Sequence, residues 1–141
     1  EVDSEGITSG KFIDVVDTAF DFREPKKIGK DIAKIKGGYD HNFVVRKDGS
    51  DVLRLAASVF DQDSGRTIDL VTTEPGIQFY TSNWFDGNTV GSGGVKFNKC
   101  QAFCLEAQHY PDSPNKPHFP STLLMPCDIY KQVTVYKFGI K

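Results

Sequence analysis

The sequence has no hydrophobic run that approaches the roughly 20 residues a helix needs to cross a bilayer. It also lacks an excess of either charge, since 17 basic and 19 acidic side chains give a net charge of -2. Nucleic-acid recognition depends on clustered Lys and Arg, which are interspersed here with Asp and Glu. We therefore expect neither a membrane segment nor a nucleic-acid partner.

Cysteine is scarce, with three residues that have no further Cys or His at the spacing of a zinc site. We interpret Cys100, Cys104 and Cys127 as reduced packing residues and expect an intracellular, cytoplasmic protein. The first segment, EVDSEGITSG, is acidic and polar, whereas a signal peptide is basic and then apolar. A chain that starts at Glu1 rather than Met is expected to be processed or to be part of a longer one.

Strong helical patterns are also missing. Turn-forming pairs such as Asp48-Gly49 and Asp86-Gly87 recur at short intervals, separated by runs rich in Val, Ile, Phe, Tyr and Thr. This pattern is typical of antiparallel β structure. The predicted strands cover 39–46, 52–60, 67–73, 76–81, 102–107 and 132–138.

Two segments do not fit strands. Residues 30–36 are predicted to form one or two helical turns, and the charges of 31–36 are expected to be exposed and solvated. The segment from Pro111 to Pro120 contains four prolines, which cannot occupy a central strand, so an ordered extended loop is expected there.

Side chains alternate between the two faces of a strand, so the predicted strands can be sorted into faces. Glu106 points away from the face that its neighbours Leu105 and Ala107 share. The polar side chains that the alternation places opposite apolar neighbours are Asp40, Gln78 and Glu106. They either face open water or line a concave sugar-binding surface.

The second interpretation draws on nearby aromatic residues: Tyr80, Trp84 and Phe85. Carboxylate and amide groups bond sugar hydroxyls, and aromatic rings cover the apolar C–H face of a sugar. Spacing alone leaves both interpretations open.

At these residues the chain resembles the galactose mutarotase (aldose 1-epimerase) family. The similar segments are TAFDFREPKKIG (18–29), GYDHNFVV (38–45), TTEPGIQFYTSNWFDG (72–87), FCLEAQHYPDSPNKPHFPSTLLMPC (103–127) and residues 130–138. They occur in the family's order and cover almost the whole chain. Hexose-6-phosphate epimerase-like proteins and the mutarotase part of a bifunctional enzyme are the alternatives that share the fold.

The resemblance implies an all-β fold, a large antiparallel β-sandwich of the supersandwich type. Residues 1–141 would be its C-terminal portion, with the N-terminal portion absent from this chain. It also implies that Glu106 is the catalytic base and that Asp40 and Gln78 bind hydroxyls of a free aldohexose such as galactose or glucose.

The implied reaction interconverts α and β anomers by proton transfer at two oxygens, without nucleotide or metal. The family's acid histidine, a second histidine and an arginine belong to the N-terminal portion. His41, His109 and His118 do not match them, so we expect structural roles for these three and no activity from the 141 residues alone. A sugar-binding or sugar-sensing module and a purely structural β-domain are the alternatives from other functional classes.

Overall fold

The computed structural model describes residues 1–45 and 52–141. Eight strands lie within these ranges: β1 (Asp40–Val44), β2 (Arg54–Phe60), β3 (Arg66–Thr72), β4 (Gly76–Tyr80), β5 (Asp86–Val90), β6 (Lys96–Asn98), β7 (Cys104–Gln108) and β8 (Thr134–Ile140). The helical elements in the same ranges are short 3-10 turns at Ile28–Lys30, Ile32–Lys34, Ser92–Gly94 and Ser113–Asn115.

The all-β prediction is confirmed, and each of the six predicted strands overlaps an observed one. Two predicted features, the end of the first strand at Arg46 and the turn at Asp48-Gly49, lie outside the described residues. The expected helical segment is a pair of 3-10 turns. The proline-rich segment is a loop, but it includes a 3-10 turn and is not uniformly extended.

The β5–β6 pair was not predicted from the sequence. Both strands are short, and most of their side chains are exposed, so they have no alternation of buried and exposed positions to detect. The Asp86-Gly87 pair was predicted only as a turn, and the glycines of 91–94 are a second group of turn-forming residues. They are the start of β5 and the connection between β5 and β6.

The strands form two three-stranded sheets, in the orders β1-β4-β7 and β2-β3-β8, and the two-stranded β5-β6 sheet. The central strand β3 pairs antiparallel with both β2 and β8. Leu70 lies opposite Ala57 on one side and Tyr136 on the other. Cross-strand partners share a face, so these three side chains point the same way.

The described residues divide into two compact units. The first comprises 1–41 and 79–104, and the second comprises 42–78 and 105–141. In the first unit, Tyr39 is fully buried, and its ring contacts those of Phe22 and Phe79 at 5.3 and 5.0 Å between centroids. The Tyr39 hydroxyl donates to the carbonyl of Ala19, which satisfies its polar atom.

The core of the second unit consists of Val45, Leu70 and Ile77. Leu70 belongs to β3 and Ile77 to β4, so the two three-stranded sheets face each other across this cluster, as in a sandwich. Burying one such side chain contributes about 1.5–3 kcal/mol relative to leaving it exposed. Leu105 and Ala107 of β7 pack against the same cluster, which fixes the orientation of that strand.

The cysteine interpretation is wrong in one respect, because Cys100, Cys104 and Cys127 are all exposed thiols rather than packing residues. Cys100 and Cys127 adopt positive φ angles, so both lie in turns, where side chains point into solvent. No helix among the described residues is long and apolar enough to cross a membrane.

The charges of 31–36 are not all solvated, which corrects a second expectation. The side chains of Asp31 and Lys26 are only 12% and 11% exposed and form an ion pair of 3.0 Å. Lys34, which is exposed, adds a 2.8 Å contact to the same carboxylate. Lys26 also lies 4.5 Å from the ring centroid of Phe22, so the pair is part of the first unit's packing.

This ion pair predicts a loss of stability in acid. Hydrogen bonds from Lys34 and Lys26 lower the pKa of Asp31 from 3.8 to about 2. The ionised form is favoured in the folded state, so its stabilising contribution is present above pH 3.8 and is lost as the pH falls towards 2. The melting temperature of the parent should therefore drop more steeply across this window than that of Asp31→Asn. If the melting temperatures of the two proteins fell equally between pH 3.8 and 2, the stabilising role of ionised Asp31 would be contradicted.

Candidate functional site

Strand β4 has the predicted alternation of buried and polar positions. Ile77 and Phe79 are buried, whereas Gln78 and Tyr80 are half-buried and point to the other face. Because Ile77 is part of the core, Gln78 points away from it.

Strand β7 alternates in the same way. Leu105 and Ala107 pack against the core, and Glu106 between them is exposed on the opposite face. Strands β4 and β7 are neighbours in one sheet, and both present these polar side chains away from the same core cluster. Gln78 and Glu106 therefore lie on one face of adjacent strands within the second unit.

Asn42 of β1, which was not selected from the sequence as a site residue, also lies on this face, because its neighbour Phe43 packs against the core and β1 lies beside β4. A Cβ at Gly76 would come within 2.7 Å of Asn42 Oδ1 and 2.9 Å of Tyr110 Cδ1. A side chain at position 76 would therefore displace Asn42 and Tyr110, which lie over the start of β4, two residues before Gln78. The Asn42 amide nitrogen is buried there without a hydrogen-bond partner among the described residues.

Asp40 belongs to the first unit, where it is the exposed first residue of β1. Its backbone N–H donates to His41 Nδ1 at 3.0 Å. The His41 ring packs against Phe20 at 4.7 Å between centroids, and burial lowers the pKa of the imidazole. His41 is thus a neutral packing residue, in agreement with the structural role expected for it.

The three aromatic residues selected from the sequence belong to the first unit and differ in exposure. Trp84 is 81% exposed, and its backbone N–H donates to the Tyr80 hydroxyl at 3.3 Å. Phe85 stacks edge-on against Phe97. Trp84 therefore presents an uncovered ring, whereas Phe85 is held by packing.

The remaining histidines also make contacts in the structure. His109 Nδ1 lies 2.7 Å from the carboxylate of Glu74. The His118 ring packs against Phe119 at 4.7 Å between centroids. Both observations agree with structural roles for these residues.

The comparisons with known proteins point to one family. The family model described as aldose 1-epimerase matches residues 1–137. The chain is 42% identical to galactose mutarotase from Bos taurus over 140 residues and 37% identical to aldose 1-epimerase from Escherichia coli (strain K12) over 145 residues. These alignments cover 99% and 97% of this chain but 40% and 41% of the relatives.

A solved structure gives the same result. The crystal structure of a GalM/aldose epimerase homologue from C. elegans matches with a TM-score of 0.85 at 30% identity, covering 99% of this chain and 42% of that one. The chain thus spans about 40% of the length of the curated relatives it matches. On the family model, the sequence identity and the shared fold together, the chain belongs to the aldose 1-epimerase family.

Proposed function

We propose that the protein containing these residues is an aldose 1-epimerase that interconverts the α and β anomers of a free aldohexose such as galactose or glucose. One observation carries the proposal. A carboxylate, Glu106, and an amide, Gln78, lie on one face of adjacent strands in a chain of this family. A carboxylate accepts protons, and an amide both donates to and accepts from sugar hydroxyls.

In the proposed mechanism, Glu106 removes the proton from the C1 hydroxyl while an acid protonates the ring oxygen. The C1–O5 bond breaks, the open-chain aldehyde rotates about C1–C2, and ring closure from the other side gives the other anomer. On closure, the C5 hydroxyl returns its proton to the acid, and Glu106 returns its proton to the C1 oxygen, so atoms and charge balance. Positioned proton transfer of this kind contributes typically about 10²- to 10⁴-fold in rate.

Gln78 and Asp40 are proposed to bind sugar hydroxyls and to hold the C1 hydroxyl within reach of the base. Hydrogen bonds that orient a substrate reduce the entropic cost of reaching the transition state. The general acid is proposed to be a histidine outside these 141 residues, because His41, His109 and His118 are held by other contacts. The relatives' additional length offers a source for it.

Three exposed, unpaired cysteines fit a reducing compartment, so we also propose a cytoplasmic location.

Polarimetry on freshly dissolved α-D-galactose tests the function directly. The full-length protein should accelerate the approach to the equilibrium rotation, and EDTA should not change the rate. A protein that binds galactose without accelerating mutarotation would instead be a sugar-binding module, and the proposed activity would be wrong.

Removing the hydroxyl ligands should affect binding more than chemistry. In Gln78→Ala and Asp40→Ala, a hydrogen bond made in both the ground state and the transition state is lost, so KM should rise about 5- to 10-fold with a smaller fall in kcat. Initial rates over a range of galactose concentrations separate the two constants. Unchanged KM values in both variants would remove Asp40 and Gln78 from the site.

A further inference from the structure

A carboxylate–histidine pair lies at the end of β7, outside the proposed proton-transfer steps. Glu74 is 6% exposed, and its Oε2 lies 2.7 Å from His109 Nδ1. The contact is a close approach and not an aligned hydrogen bond, since this oxygen has no hydrogen-bond partner among the described residues. A buried carboxylate without a partner is strongly destabilised, so His109 is the group that makes burial of Glu74 possible.

Glu74 is the fixed member of the pair. Its backbone N–H donates at 3.0 Å to the hydroxyl of Thr72, which is fully buried. The next residue, Pro75, is also fully buried, and its carbonyl accepts from the backbone N–H of Val45 at 2.9 Å. The turn that carries Glu74 is thus held on both sides, and the carboxylate sets the position of the imidazole.

The pair joins the two strands that carry the candidate site residues. His109 directly follows β7 and is three residues after Glu106, and Glu74 is two residues before β4 and four before Gln78. Three extended residues span about 10 Å, so His109 is displaced along the chain from Glu106. Tyr110, the next residue, lies against Gly76 at the start of β4. Two consecutive side chains, those of His109 and Tyr110, therefore contact the segment at the beginning of β4.

From this geometry we infer that Glu74 and His109 are positioning residues, which hold the end of β7 against β4 so that Glu106 keeps its place relative to Gln78. The inference rests on the proposed function, in which Glu106 is the base. A base displaced by an ångström loses up to about 100-fold in rate, whereas ligands on the other strands still bind the sugar. Loss of the pair should therefore lower kcat and leave KM nearly unchanged.

The test uses the full-length protein and four variants. In His109→Ala, Glu74 loses its partner, and kcat for galactose should fall roughly 10- to 100-fold with KM within about 3-fold of the parent. The double variant Glu74→Gln/His109→Asn replaces the carboxylate and the imidazole by two neutral amides, which can hydrogen-bond to each other, and should restore kcat to within about 3-fold. Lys116→Ala is the matched control, since it breaks another 2.7 Å pair of the same unit, with Asp112, and should leave kcat unchanged.

The outcomes separate this inference from the proposed function. An inactive parent would overturn both, and an active Glu106→Gln variant would overturn the base assignment on which positioning depends. The positioning role alone would be overturned by one combination of results: the parent is active, Glu106→Gln is inactive, and His109→Ala folds and has the parental kcat. If His109→Ala does not fold, the double variant provides the test. A folded double variant with kcat lowered 10-fold or more would also overturn the positioning role.

Discussion

Glu106→Gln in the full-length protein should lower kcat for galactose by about 10²- to 10⁴-fold while leaving folding intact. The amide has almost the same shape as the carboxylate but cannot accept the C1 proton. Glu106 is exposed on β7 and takes part in no ion pair with the described residues. Surface substitutions of this kind change stability by less than about 0.5 kcal/mol, so the melting temperature should stay close to that of the parent.

Glu24→Gln is a suitable control, because it removes an exposed carboxylate of the first unit that has no role in the proposed mechanism. Its rate should equal the parent's. Activity of Glu106→Gln within a few-fold of the parent would exclude Glu106 as the base. A large fall in its melting temperature would show that the carboxylate is structural.

A protein consisting of only these 141 residues should show no measurable mutarotation, even if it binds galactose. Glu106 supplies a candidate base, but the histidines of the chain are held by backbone, carboxylate and aromatic neighbours. Without an acid, the ring oxygen would have to leave as an alkoxide, which removes the benefit of concerted proton transfer.

The same 141-residue protein should also associate in solution. Phe138 and Ile140 of β8 point to the same face as the fully buried Leu70, yet they are 76% and 80% exposed. An apolar strand face left open in this way favours aggregation. Light scattering after size-exclusion chromatography, combined with polarimetry, checks both expectations. A monomer that catalyses anomer exchange would contradict them, and single His→Ala variants would then identify its acid.

Much of the sheet structure could be predicted from the sequence because alternation is a local signal. Ile77 and Leu105 pack into the core, and Gln78 and Glu106 point away from it, as the period of two requires. The β5–β6 pair was not predicted because its exposed side chains carry no such alternation.

The contacts that shape the candidate site join residues far apart in the chain, and composition or periodicity does not reveal them. In the sequence, Glu74 has the features of an ordinary turn residue. Only the fold brings its Oε2 to 2.7 Å from His109 Nδ1. Asn42 lies over Gly76 for the same reason. The burial of Asp31 depends on Lys26, five residues earlier, whose Nζ donates a hydrogen bond to Asp31 Oδ2.

The central claim is that Glu106 acts on C1 of an aldose held by Gln78 and Asp40. A crystal structure of the full-length Glu106→Gln variant with bound galactose tests it most directly, since this variant should bind the sugar without turning it over. We expect the side chain of residue 106 to lie within hydrogen-bond reach of the C1 hydroxyl, about 2.6–3.2 Å, with Gln78 and Asp40 bound to other hydroxyls. Galactose bound elsewhere, or with C1 directed away from residue 106, would contradict it.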